Sequence, residues 1–116
     1  MSDVAIPPTG AATASRQRLP NRREHELLEF EHGGIRYTAG IGRFEDGTVS
    51  EIFLNTGKHG TAIDTNARDA AVAASLLLQY GCPVETLSRA LTRNGDGSAS
   101  GPLARALDLI QAEPQP

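Results

Sequence analysis

A stretch of alternating apolar and polar residues over positions 26–54 constrains the fold more than any other feature of this chain. Two short turn signals interrupt the alternation, one at Gly33-Gly34 and one at Asp46-Gly47. A period of two is typical of strands with one buried face, and short glycine-containing turns connect antiparallel neighbours. The stretch therefore predicts a three-stranded antiparallel meander whose third strand covers residues 49–54.

After a loop, the chain continues into an alanine-rich segment that predicts a long central helix, ended by Gly81. Val72 and Leu76 lie opposite the main apolar stripe at helical spacing, so we expect this helix to be covered on both sides. Three polar residues can cap its first turn: Asp64, Thr65 and Asn66.

Two shorter helices are predicted in the remainder of the chain. One begins near Pro83 and carries Leu87 on its apolar face, and the other begins at Pro102 and is closed by Pro114. The polar, glycine-rich residues 92–101 between them predict a flexible connection. The fold class is therefore α+β: a three-stranded antiparallel meander packed with about three α-helices.

The N-terminal residues 1–20 predict a disordered tail with a basic end, because they are rich in Ala, Thr, Ser, Pro and Gly and show no periodicity. The folded domain is expected over residues 21–113. Arg18, Arg22 and Arg23 form a candidate partner-binding arm, since guanidinium groups pair well with the carboxylates of an acidic protein. The alternative is that they form a solvated hinge into the domain.

Composition excludes several classes of protein. The 116 residues carry a net charge of −3, which gives no overall attraction to nucleic acid or to an anionic membrane. Cys82 is the only cysteine, which excludes an internal disulfide and fits a reducing, cytoplasmic location. No apolar run reaches the length of a membrane span or of a signal-peptide core. We therefore expect a soluble cytoplasmic protein.

A Gly-Lys loop lies between the third strand and the central helix. It resembles a phosphate-binding loop, but the first glycine of that pattern is missing and His59 follows Lys58. We interpret it mainly as a turn. The minority interpretation is a weak site for a phosphate or nucleotide, because glycine amides, a cation and a helix N-terminus together attract anions. The residues of that site would be Gly57, Lys58, Gly60, Asp64 and Thr65.

The sequence predicts no catalytic residue, no metal ligand and no cofactor. The three histidines are scattered and form no chelating pair, and Cys82 stands between a helix end and a helix start rather than beside a base. A nucleotide- or nucleic-acid-binding module is the alternative function, in which Arg36 and Arg43 could assist Lys58. The 4% aromatic content does not favour nucleic acid.

Three motifs in combination resemble the TSCPD domain found near the C-terminus of adenosylcobalamin-dependent (class II) ribonucleotide reductases. They are Asp46-Gly47 with Glu51-Ile52-Phe53, the loop Gly57-Lys58-x-Gly60, and Leu78 to Gly81 with Val84-Glu85-x-Leu87. The resemblance covers about residues 18–112. The Thr-Ser-Cys-Pro-Asp string that names the family is absent.

The resemblance implies a noncatalytic accessory or interaction module linked to deoxyribonucleotide supply. Radical reduction of ribonucleotides belongs to a large barrel domain with several cysteines, which this chain does not contain, so reductase activity would be a property of longer relatives. The implied partner is a protein, with a ribonucleotide reductase as the candidate. A homodimer is a further expectation, because a three-stranded meander leaves edge strands that can pair.

Overall fold

The computed structural model describes residues 15–17 and 25–112. Except for residues 15–17, the predicted tail over residues 1–20 lies outside the described residues. Arg18, Arg22 and Arg23 of the candidate arm also lie outside them, so their binding role stays a prediction.

The described residues form three strands followed by three helices. The strands are β1 (His25–His32), β2 (Ile35–Arg43) and β3 (Val49–Asn55), and the helices are α1 (Ala62–Gln79), α2 (Val84–Ala90) and α3 (Pro102–Ala112). The sheet order is β1-β2-β3, and both neighbouring pairs are antiparallel. The α+β prediction, with its three-stranded meander and three helices, is confirmed.

The two hairpins follow the turn chemistry of the sequence. Gly33, Gly34 and Gly47 all adopt positive φ, which a residue with a Cβ rarely does. In the second turn the Asp46 carboxylate accepts hydrogen bonds from the Thr48 amide (3.0 Å) and the Thr48 hydroxyl (2.7 Å). These local bonds fix the turn and set the register of the strands on either side.

The apolar core lies between one face of the sheet and the helices. Alternate residues of β2 and β3 point into it, and α1 packs along β3 while α3 lies beneath β1 and against the other two helices. Small side chains of α1 allow the helix to approach the sheet closely. The most deeply buried core residues are Ala39, Ile52, Leu54, Ala71, Ala74, Ala106 and Leu107.

Helix α1 begins earlier than the sequence predicts. Thr61 is the N-cap, with extended backbone (φ −88, ψ 151), and its hydroxyl accepts from the Asp64 amide at 3.2 Å. The three predicted caps, Asp64, Thr65 and Asn66, lie inside the first turns. The prediction was wrong because the loop places a hydroxyl at Thr61 before the first of those residues.

The expectation that α1 is covered on both sides is also wrong. Val72 is 57% exposed, and Leu76 is 40% exposed. Within the described part of the chain there is one sheet, which α1 contacts through β3, and no second sheet covers the other side of the helix. One apolar side of α1 therefore faces outward.

The connection over residues 92–101 is ordered, although a flexible segment was predicted. A bridge between Arg93 and Ala99 closes it, and Gly97 has φ of 89° at its tip. The Arg93 guanidinium binds both Asp108 carboxylate oxygens, at 2.5 and 3.0 Å. It also donates to the Ser88 carbonyl at 2.7 Å, which ties the turn to α2 and α3.

Gly42 makes room for a contact across the open face of the sheet. It pairs with His25 on one side and Glu51 on the other, and the His25 Nε2 and Glu51 Oε2 atoms are 2.8 Å apart. A Cβ at position 42 would lie 2.8 Å from both Glu51 Cγ and Glu51 Oε2. At Gly40 the nearest atom to such a Cβ is Phe53 Cδ2, at an ordinary 3.6 Å.

We predict that Gly42→Ala lowers the free energy of unfolding by about 1–3 kcal/mol, because the new methyl group displaces the Glu51 side chain. The measurement is urea unfolding followed by circular dichroism. Gly40→Ala is the matched control on the same strand, and we expect it to change stability by less than about 0.5 kcal/mol. Equal losses in the two variants would contradict the packing described for Gly42.

Candidate functional site

The loop between β3 and α1 holds most of the residues predicted to bind a phosphate. Gly57 and Gly60 adopt positive φ, at 80° and 86°, and reverse the chain between the strand and the helix. The Thr61 hydroxyl donates to the Lys58 carbonyl at 2.9 Å, which closes the loop on the helix N-terminus. The Lys58 side chain is exposed. The loop is thus a hydrogen-bonded turn that carries an exposed cation, Lys58.

Asp64 points back from the first turn of α1 into this loop. One carboxylate oxygen accepts from the Thr56 amide (2.7 Å) and the Thr56 hydroxyl (3.0 Å), and the other accepts from Arg68 Nε (2.6 Å). The Asp64 side chain is 2% exposed. The Thr56 amide and the Arg68 guanidinium lower the pKa of Asp64 from 3.8 to about 2, so the carboxylate is ionised at neutral pH.

An anion of the chain itself, the Asp64 carboxylate, is thus held between Thr56 at the start of the loop and Arg68 on the helix. Asp64 is turned inward and fully engaged, whereas Lys58 and Thr65 are exposed. The five predicted phosphate-site residues therefore do not point to one common space. Phosphate or nucleotide binding by Gly57, Lys58 and Gly60 stays a prediction.

The two arginines considered for nucleic acid already have acidic neighbours. Arg36 lies 3.3 Å from Glu29, and both side chains are exposed. Arg43 lies 3.3 Å from Glu26 and donates to the Gly47 carbonyl at 2.9 Å. Such exposed pairs are weak, but they reduce the positive potential that phosphate contacts need.

Helix α1 also binds the outer edge of β3, which sequence reasoning missed. The Ser75 hydroxyl accepts from the Ile52 amide at 2.9 Å and donates to the Ile52 carbonyl at 3.0 Å. Gln79 Nε2 donates to the Ser50 carbonyl at 3.1 Å. These side chains take the place of a fourth strand along part of the edge. The homodimer that the sequence suggested stays a prediction, and this edge is not free to form it by strand pairing.

An apolar surface crosses from the open face of the sheet to the outward side of α1. A Cβ at Gly40 would touch both Phe53 and Leu27, so these two side chains flank the same glycine. Phe53 in turn lines a groove of about 310 Å³ together with Val72 and Leu76 of α1. All four side chains are exposed, Leu27 to 77%. We call Leu27, Phe53, Val72 and Leu76 the apolar strip.

Two arginines lie along the groove that contains part of the apolar strip. Arg16 lines the groove and donates from Nε to Gln79 Oε1 at 2.5 Å. Arg68 lines it as well and holds Asp64. The sequence carried a signal for this surface. Phe53 lies between Ile52 and Leu54, which point into the core, and successive side chains of a strand point to opposite faces, so Phe53 must point away from the core.

Residues 15–17 and 25–112 contain no group of three His, Cys, Asp or Glu side chains placed to hold a metal ion. Within the same residues, no helix has both the length and the apolar character needed to cross a membrane.

We predict that Asp64→Asn lowers the melting temperature by several degrees at neutral pH, because three donors lose a charged acceptor. The pKa of Asp64 is lower in the folded chain than its ordinary 3.8. Its stabilisation is therefore fully present above about pH 4 and is lost as the pH falls toward about 2. The difference between wild type and variant should narrow over that interval in thermal unfolding measured by circular dichroism.

Asp69→Asn is the matched control, since Asp69 is an exposed aspartate on the same helix. Its removal should change the free energy of unfolding by less than about 0.5 kcal/mol at any pH. A wild-type minus Asp64→Asn difference that stays constant from pH 7 to pH 2 would contradict the role given to the Asp64 carboxylate.

Comparison with known proteins finds a matching family model and several similar enzymes. The TSCPD domain family model matches residues 12–111. Vitamin B12-dependent ribonucleotide reductases from Agrobacterium fabrum and Bradyrhizobium diazoefficiens are 39% and 34% identical over 77 residues, which is 66% of this chain and 6% of each relative. The reductase from Rhodopirellula baltica is 31% identical over 62% of this chain and 7% of its own length.

The chain thus spans only about 6–7% of the length of these relatives. No solved structure matches it. The match to the family model covers nearly the whole described structure, including the meander, the Gly-Lys loop and all three helices. The chain belongs to the TSCPD domain family.

Proposed function

We propose that this chain is a noncatalytic accessory module that binds a ribonucleotide reductase through the apolar strip. Two findings support the proposal. The domain is similar to a small part of vitamin B12-dependent ribonucleotide reductases, so its relatives occur joined to that enzyme. The described structure also exposes large apolar side chains side by side, which is typical of surfaces that contact another protein.

The apolar strip is the observation that carries this proposal. Phe53 and Val72 are rigid or branched side chains that lose little conformational entropy when covered. They belong to a sheet and a helix joined by direct hydrogen bonds, so the surface is preorganised for binding. Arg16 lies beside the groove and is bonded to the neutral Gln79 side chain, whereas Arg68 is already paired with Asp64, so Arg16 favours a partner with an acidic residue next to its apolar centre.

The chemistry of the chain supports a noncatalytic role. A dithiol reduction needs two cysteines, and the sequence has only Cys82. Its thiol is half-buried and lies 3.5 Å from the Pro83 carbonyl, in a helix junction. A single unpaired cysteine also fits the cytoplasm, where we propose that the module acts.

The test is binding of the purified chain to the vitamin B12-dependent ribonucleotide reductase of the organism that carries it, measured by biolayer interferometry. We predict that Val72→Asp weakens binding by about 10-fold or more, because a carboxylate would be buried against an apolar partner surface. The melting temperature should change little, since Val72 is exposed in the free chain.

Ala73→Asp is the matched control, because it adds the same charge at an exposed position of the same helix that lies about a quarter turn from Val72 and does not line the groove. It should leave the dissociation constant within about 2-fold of wild type. The proposal fails if the wild-type chain shows no binding at micromolar concentration, or if Val72→Asp binds as tightly as wild type.

A further inference from the structure

A second recess, remote from the apolar strip, opens between the N-terminal half of α1 and the start of α3. Its volume is about 410 Å³, within the range of small-molecule sites. The walls are largely apolar and include no charged side chain among the residues that line it. Leu54, Ala67, Ala70 and Leu103 supply most of these walls, and we call the recess the α1–α3 cavity.

Tyr37 lines this cavity from the sheet. The residue is 4% exposed, and its ring stacks on Phe30 with the ring centroids 5.5 Å apart, which fixes its position. None of the described residues forms a hydrogen bond with the Tyr37 hydroxyl. Tyr37 is one of the residues that line the α1–α3 cavity, and we infer that its hydroxyl is a donor at the wall of that cavity.

Burial raises the pKa of Tyr37 above its ordinary value of 10.0. The phenol is thus protonated at neutral pH and presents an O–H donor. A donor with little access to water gains from a nearby acceptor, so an acceptor placed in the cavity would form a bond that the described residues do not supply.

The N-terminus of α3 provides two more donors on the same wall. Gly101 precedes the helix and has no side chain to cap it, and Pro102 has no N–H. Among the described residues the amides of Leu103 and Ala104 have no acceptor, whereas the next amide, of Arg105, donates to the Gly101 carbonyl at 3.1 Å. The first turn carries no acidic residue, so the positive end of this 11-residue helix is not neutralised by its own side chains.

We propose that the α1–α3 cavity binds a small carboxylic acid with an apolar body, with its carboxylate toward the Tyr37 hydroxyl and the N-terminus of α3. The apolar walls suit a short aliphatic or aromatic body. Tyr37, Leu103 and Ala104 all line the cavity and no charged side chain does, which suits a single carboxylate rather than a multiply charged phosphate. This site is independent of the proposed binding to a reductase.

The test is an amide NMR titration of the full chain with 4-phenylbutyrate, compared with 4-phenyl-1-butanol, which has the same apolar body without the carboxylate. The acid should produce saturable shifts at the amides of Leu103 and Ala104, and the alcohol should bind at least about 5-fold more weakly. Tyr37→Phe should weaken binding of the acid by about 3- to 10-fold. Because the hydroxyl has no partner in the free chain, its removal should not lower the melting temperature.

Ala70→Leu is a second variant, because it fills the cavity from a half-buried position on α1. It should abolish the shifts produced by the acid while the rest of the spectrum stays folded. The proposal is overturned if neither compound gives saturable shifts, if the alcohol binds as tightly as the acid, or if Tyr37→Phe and Ala70→Leu bind the acid like wild type. Shifts of the cavity amides on addition of a reductase alone, without any response to the acid, would also overturn it.

Discussion

Hydrogen bonds from helix α1 to the outer edge of strand β3 are the interaction on which the rest of this structure depends. Asp64, Ser75 and Gln79 provide them, and these three residues fall on one stripe of the helix because they are separated by eleven and four positions. The helix rises about 22 Å from Asp64 to Gln79. Residues 50–56, which receive the bonds, span about 20 Å of extended chain. The two lengths match, so one helix runs alongside this edge and bonds to it at Ser50, at Ile52 and at Thr56 just beyond the strand.

This arrangement determines which surfaces remain for a partner. An uncovered edge strand invites pairing with another chain through its backbone, whereas the β3 edge is occupied by side chains of α1. The helix uses one stripe for the core and a neighbouring stripe for the edge, which leaves Val72 and Leu76 facing outward. Recognition through this side of the domain therefore has to use side chains. That requirement agrees with the apolar strip as the site proposed for a reductase.

Local patterns in the sequence were sufficient to predict the strands and helices, but they were not sufficient to predict the contacts between them. The alternation over residues 26–54 predicted the meander, and its glycine turns gave the correct hairpins. The turn at Asp96-Gly97 closely repeats the turn at Asp46-Gly47, with φ of 89° at Gly97 and 92° at Gly47. The glycine-rich residues around Asp96-Gly97 nevertheless led to the prediction of a flexible connection. The ordered turn depends on Arg93 reaching Asp108, which lies 15 positions away and has no local signal.

The candidate site illustrates the same limit. A Gly-Lys loop before a helix predicts attraction of an anion, and the structure does place a carboxylate there. The identity of that anion, Asp64, follows from how the loop folds back onto the first turn of the helix, with Thr61 as the cap. Polar residues such as Ser75 and Gln79 in an alanine- and leucine-rich helix were a usable signal for a contact with the sheet edge. The strand that they contact could not be read from the spacing alone.

Closure of the β3 edge by α1 can be tested by native-state hydrogen exchange at the Ile52 amide, which is bonded to the Ser75 hydroxyl rather than to another strand. We expect Ile52 to exchange as slowly as amides at the centre of β2, and Ser75→Ala to accelerate its exchange by roughly 10-fold or more while β1 and β2 are unaffected. A wild-type Ile52 amide that exchanges as fast as the exposed amide of Gly57 would contradict the closure of this edge by α1.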